Sequence, residues 1–269
     1  MVIADNCAVF VNEVFGNPEA YSGNHLASAA VYFAIQLYCD FSGYSDIAIG
    51  TARLFGFNLM QNFSFPYFST SMSELWRKWH ISLSTWTNDY IFLPLMLKIG
   101  DKGRLGSVFS LMVTFTILGF WHGANWTFIA FGLLHGTVVS FEYYFQRNLR
   151  IFNRKFSNKL LTNFGGWFIT MTLWLVGCIF FRAVSIESAW DYIIQMTTNL
   201  ELAIPPLYRR LVYLSVIFLF IVEWLQQGKS HALEEIKLPA PARYLLYYAL
   251  ILTIIINYGK EQSFVYFQF

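Results

Sequence analysis

The sequence predicts an all-α, polytopic membrane protein, and three observations carry that prediction. Of its 269 residues 56% are hydrophobic and only 13% charged, against about 25% charged in an average soluble domain. Apolar runs of roughly membrane-spanning length recur in the C-terminal two thirds, separated by short turns and basic stretches. Between them and the N-terminal part lies a run at 74–90, ELWRKWHISLSTWTNDY. At 100° per residue it sets Arg77, His80, Ser84 and Asn88 on one arc and Leu75, Trp79, Leu83, Trp86 and Tyr90 on the other. That is the pattern of an amphipathic helix lying in the plane of the membrane or lining a polar cavity.

Taken in order, residues 1–22 read as an interfacial helix and turn, punctuated by Asn17-Pro18 and Ser22-Gly23. They begin with acids and no basic segment, so they do not read as a secretory signal and resemble the interior of a longer protein. The first apolar run, 26–39, is expected to end in DFSGYSD at 40–46, with Ser45 or Asp46 capping a further helix over 47–56. Carboxylates at membrane depth are costly, which makes Asp40 and Asp46 candidates for a functional role. Pro66 breaks the chain before the amphipathic run, and the serines and threonine at 69–73 can cap it. Glu74 and Lys78 stand i,i+4 and can pair.

A basic turn at 98–104 leads into apolar spans expected at 105–121 and 126–145, joined by His122-Gly-Ala-Asn125. Further spans are expected at 160–181, 211–225 and 244–258. Arg147, Arg150, Arg154, Lys155 and Lys159 follow the second span, so both basic loops fall on one side, which the positive-inside rule makes cytoplasmic. The connection at 182–210 is less basic, as an outside loop should be.

A net charge of +2 gives no reason to expect nucleic acid as a partner. Cys7, Cys39 and Cys178 show no CxxC spacing, and Cys39 and Cys178 lie in apolar segments, where a thiol packs as a small hydrophobe. The groups able to do chemistry are histidines. His122 stands at a break between apolar spans, flanked by glycines, and can be a general base, a proton relay or a packing residue bonded to a backbone carbonyl. His80 faces the polar arc with Arg77, the better candidate of the two neighbouring cations for a phosphate-bearing ligand, while Lys78 suits lipid headgroups. His135 sits in mid-span and reads as structural. No HxxxH or HxxH spacing joins these histidines, so no metal site is expected. Asn125 can simply cap the following helix.

CDFSGYSDIAIG at 39–50, Asn62-Phe63 with Pro66-Tyr67, LWRKWHISLSTW at 75–86 with Asp89-Tyr90, FWHGANWTF at 120–128 and the ending FVYFQF at 264–269 together resemble the membrane-bound O-acyltransferase family. The likeness is nearest to its alginate O-acetylation branch and runs through essentially the whole chain. Members of that branch are longer, and this chain resembles their C-terminal part, lacking several N-terminal spans. It reads as one membrane domain over 1–269, with a first span and acidic break at 1–62, the amphipathic helix and basic turn at 63–104, and about five spans over 105–269.

The resemblance implies a multi-helix bundle around a transmembrane tunnel in the cell inner membrane. It also implies transfer of an acetyl group from acetyl-CoA or another cytoplasmic acyl thioester, with no permanently bound cofactor. The acceptor would be the hydroxyls of an exported, alginate-like polysaccharide, or an extracytoplasmic acetyltransferase partner that completes the transfer. The family's key histidine falls on His122, as base, and its second polar position on His80. Substrate contacts are expected from Arg77, Trp79, Ser84, Trp121 and Asn125, with Asp40 and Asp46 beside them. The rival reading is a non-catalytic proton or ion channel, or an export subunit, whose intramembrane acids and histidines conduct.

Overall fold

A computed structural model describes residues 2–99, 103–145, 158–201, 210–229, 233 and 238–257. The expected basic residues Arg147, Arg150, Arg154 and Lys155, and the ending at 264–269, lie outside the described residues. Among those described, all regular structure is helical: α1 (Ala4–Gly16), α2 (Gly23–Leu54), α3 (Met72–Lys78), α4 (Ile81–Thr87), α5 (Leu93–Ile99), α6 (Gly103–His122), α7 (Trp126–Tyr144), α8 (Lys159–Arg182), α9 (Ile186–Thr198), α10 (Arg210–Leu225) and α11 (Ala240–Ile256). Two of them, α6 with 20 residues and α8 with 24, are long and apolar enough to cross a bilayer, and α10 and α11 are shorter apolar helices. The chain forms two compact units. One comprises Met1–Ser64 with Gln195–Phe269, the other Phe65–Ile194.

In the first unit α1 packs on α2 through Phe10 against Tyr32, ring centroids 5.4 Å apart, and Phe15 against Phe33 at 6.1 Å. The break expected at 40–46 does not occur, because α2 runs unbroken for 32 residues. An interior glycine such as Gly43 costs a helix only about 1 kcal/mol, and Ser45, instead of capping a new helix, is buried and accepts a hydrogen bond from Asn62 Nδ2 at 3.3 Å. Gln195 at the end of α9 donates to the carbonyls of Pro18 and Tyr21 at 2.9 and 3.0 Å. Deeper in this unit Tyr38 Oη donates to Glu223 Oε1 at 2.7 Å, and both side chains are buried.

The second unit is built on the α6–α7 hairpin, whose connection over 123–125 is too short for anything but antiparallel neighbours. Gly119 and Gly132 let the two backbones touch: a Cβ on Gly119 would be driven into the Phe128 carbonyl, and one on Gly132 into that of Phe115. Leu105, Phe109, Ile117, Leu133 and Phe141 remain exposed on the outer faces, as residues that meet lipid should.

The single amphipathic helix expected over 74–90 is instead α3, a corner, α4 and a π-helical turn at Asn88–Phe92. At the corner Trp79 is extended (φ −108°, ψ 129°) and His80 left-handed (φ 44°, ψ 55°). A left-handed non-glycine residue costs roughly 1–2 kcal/mol. What offsets it is Trp79, turned inward to 3% exposure against Tyr67 and Trp174, ring centroids 6.0 and 4.7 Å away. A buried aromatic of 150–250 Å² is worth about 4–6 kcal/mol at about 25 cal/mol per Å². A straight helix would have left Trp79 on the same side as Trp86 and Tyr90, which stay exposed.

Candidate functional site

Short helices seldom hold their place unaided, and α3 is fixed by two devices. Ser71 Oγ accepts the Glu74 N–H at 3.1 Å as its N-cap. Glu142, near the end of α7, lays its carboxylate across the same terminus: Oε1 accepts the Met72 N–H at 2.7 Å, and Oε2 accepts the Ser73 N–H at 2.8 Å and the Ser73 hydroxyl at 2.5 Å. Lys78 Nζ meets Glu74 Oε1 at 2.6 Å. Burial alone would raise the Glu74 pKa, but Lys78 and the Thr70 N–H outweigh it and hold the carboxyl below its usual range.

So anchored, α3 and α4 with the π-turn form one wall of a cavity of about 330 Å³ and α6 forms the other. Arg77, Ser84, Thr85, Thr87 and Asn88 supply its polar side, joined by Thr114 from α6. Trp76, Ile81, Phe92, Leu111, Phe115 and Leu118 supply its apolar side. His122 follows on that face of α6, one helical turn beyond Leu118. Its ring is caged by Phe181, Trp121, Phe131 and Phe128 at centroid distances of 4.9, 5.0, 5.9 and 6.2 Å. Trp121 also meets the His80 ring at 6.0 Å, so one indole touches both imidazoles. His80 is buried, and burial pushes its pKa down to about 4. An imidazole uncharged at neutral pH can both donate and accept a hydrogen bond.

The expected site residues divide accordingly. Arg77 and Ser84 line the cavity, and Ser84 Oγ also donates to the Trp79 carbonyl at 3.1 Å. Trp121 stands more than half exposed beside His122. Trp79 belongs to the core. Asn125 is a helix cap, its Oδ1 accepting from Thr127 N–H at 3.1 Å and its Nδ2 donating to the Val184 carbonyl at 3.2 Å. Asp40 and Asp46 lie on α2 in the first unit. Sequence reasoning passed over Trp76, Thr114 and Phe115, although 111, 114/115, 118 and 122 share one helical stripe. It also passed over Glu142 and Glu223, whose partners lie 69–70 and 185 residues away. Among the described residues no group of three or more His, Cys, Asp or Glu could hold a metal ion.

The fold and site together define a helical membrane protein with an aromatic-caged histidine one helical turn beyond the lining of a mixed polar and apolar cavity. Residues 20–190 match the model of MBOAT, the membrane-bound O-acyltransferase family, and the chain belongs to that family. It is 41% identical over 189 residues to the probable alginate O-acetylase AlgI of Azotobacter vinelandii, covering 70% of this chain and 36% of that protein. It is 37% identical over 190 residues to the peptidoglycan O-acetyltransferase of Helicobacter pylori, covering 70% and 34%. With the teichoic acid D-alanyltransferase of Streptococcus thermophilus it shares 35% identity over 109 residues, covering 39% and 26%. The matched region thus spans about a third of the length of these larger relatives.

Proposed function

We propose that the protein carrying this chain is a multi-pass inner-membrane O-acyltransferase that moves an acetyl group from acetyl-CoA, or another cytoplasmic acyl thioester, to hydroxyls of an exported polysaccharide. Transfer passes either directly to an alginate-like polymer or through an extracytoplasmic acetyltransferase partner. In this reading the acceptor oxygen attacks the thioester carbonyl carbon, the new C–O bond forms and the C–S bond breaks. His122 takes the hydroxyl proton and returns it to the departing thiolate. His80 orients or polarises the reacting groups, and Arg77 meets the donor's phosphate while Leu111, Phe115 and Leu118 accommodate its apolar part.

The observation that carries the reading is the position of His122, caged by aromatic rings at the end of the cavity stripe, in a chain of the MBOAT family. Aromatic walls beside this half-buried imidazole limit the water that reaches it, which favours transfer to a hydroxyl over loss of the acyl group to solvent. The test is transfer of labelled acetyl from acetyl-CoA to an alginate oligosaccharide in membrane vesicles. The His122→Ala form should lose at least ~100-fold in rate, the scale of a general base, at equal expression. Equal label from both forms would remove His122 from the chemistry.

A further inference from the structure

His135 is completely buried in α7, yet neither ring nitrogen has a hydrogen-bond partner. The same holds for the indole Nε1 of Trp76, whose ring lies 5.5 Å from the imidazole at 71°. The remaining walls are aromatic or backbone. Trp174 stacks on the imidazole at 5.5 Å and 22°, and Phe131 meets it edge-on at 4.3 Å. Gly177 approaches so closely that a Cβ there would stand 2.6 Å from Cε1 and 2.7 Å from Nε2. Trp174 shows what is missing, since its own Nε1 reaches the Tyr67 hydroxyl at 3.4 Å.

Buried polar groups are nearly always satisfied, and each one left without a partner opposes folding. A phenylalanine at 135 would fill the same aromatic niche with no such penalty. An indole N–H and an imidazole N–H, buried in rings whose centroids lie 5.5 Å apart, are chemically complementary to a single oxygen that accepts from both. Their location suits that use. Trp76 is part of the cavity wall, and Phe131 is shared between His135 and the caged His122, 5.9 Å from the latter.

We propose that Trp76 and His135 form a buried site for one hydrogen-bond-accepting oxygen. Two sources share that chemistry: a water molecule, and the carbonyl oxygen of the acyl thioester, which gains negative charge as the acceptor hydroxyl adds to its carbon. The second source rests on the acyltransferase reading, and the first does not. With the carbonyl bound, both N–H groups act in the transition state more strongly than in the ground state, so their removal lowers kcat and leaves KM for the donor nearly unchanged.

The experiment has two arms on the full chain. A high-resolution density map of the solubilised protein, alone and with a non-hydrolysable acetyl-CoA analogue, should place an oxygen within hydrogen-bonding distance of Trp76 Nε1 and a His135 nitrogen. An oxygen present without the analogue is water, and one that arrives with the analogue is the carbonyl. His135→Phe and Trp76→Phe are then compared with wild type in acetyl transfer and in thermal melting. For the carbonyl, each lowers kcat about 100-fold with KM held within about threefold and the melting temperature unchanged or raised. Should His135→Phe fail to fold, Trp76→Phe carries the comparison. Wild-type protein that transfers nothing sinks the acyltransferase reading alone, and the density still decides the site. No oxygen in either map, with both variants turning over within threefold of wild type, overturns the proposal.

Discussion

His122 and His80 show how far single residues could be read from sequence. A histidine between glycines at a break in two apolar runs is conspicuous in one dimension, as is an arginine three residues before another histidine. Trp76 is not, because a tryptophan in an amphipathic run says nothing of whether its N–H finds a partner, and that depends on α7 and α8. Trp79 reads the same as Trp76 in sequence and differs only because the chain turns at His80. That turn is itself testable: His80→Gly accepts φ 44° without strain and should fold at least as stably as wild type, whereas β-branched His80→Val should be destabilised by roughly 1–2 kcal/mol more. Equal melting temperatures for the two would show that the corner is not held as described. Glu74 gives a pH dependence. Its carboxyl is held below its usual value of 4.5, so its contribution is fully present above that value and is lost as pH falls through the lower folded value. Wild type should therefore exceed Glu74→Gln in thermal stability at pH 7 by at most ~1 kcal/mol, given the exposure of the pair. The two curves should converge below pH 4.5; a gap that persists at low pH would assign the difference to something other than charge.

At the scale of elements, the apolar helices were legible because burial and lipid ask for the same residues, so each apolar helix is continuous in sequence, although of the spans expected over 105–269 only α6 and α8 are long and apolar enough to cross a bilayer among the described residues. The short pieces were not. Periodicity assumes that a helix continues, and it cannot see that α3 ends where Trp79 is drawn into the core or that α2 passes through 40–46 intact. The amphipathic α9 was hidden for a related reason, its acids and aromatics resembling a polar connection. Glu142 is the element-scale contact of greatest consequence. Replacing it with Ala leaves two N–H groups of a seven-residue helix without their acceptor. A loss of roughly 1–3 kcal/mol is expected, with faster amide exchange confined to Met72–Lys78. Uniformly accelerated exchange through α6 and α7 would mean that the carboxylate supports the hairpin rather than α3. Between the hairpin helices, Gly119→Val should be more damaging still, since the side chain has only the Phe128 carbonyl to displace.

For the molecule as a whole, composition announced the membrane, and α6 and α8 supply helices of adequate length. Alkaline carbonate should leave the protein in the membrane pellet; release to the supernatant would contradict that placement. What composition could not announce is that the first unit is assembled from both ends of the chain while the second is one uninterrupted stretch. A folding sequence over time follows from the Tyr38–Glu223 bond. The two residues are 185 apart, and at roughly 5–20 residues per second the ribosome delivers the carboxyl about 10–40 s after the phenol that awaits it. Ile194 precedes Glu223 by only 29 residues, so the Phe65–Ile194 stretch is completed late in that interval yet still before the carboxyl arrives, whereas α2 waits through all of it with a partner unsynthesised. Premature release before α10 is made should therefore expose the N-terminal helices to quality-control proteases first, and the stretch bearing His122 last.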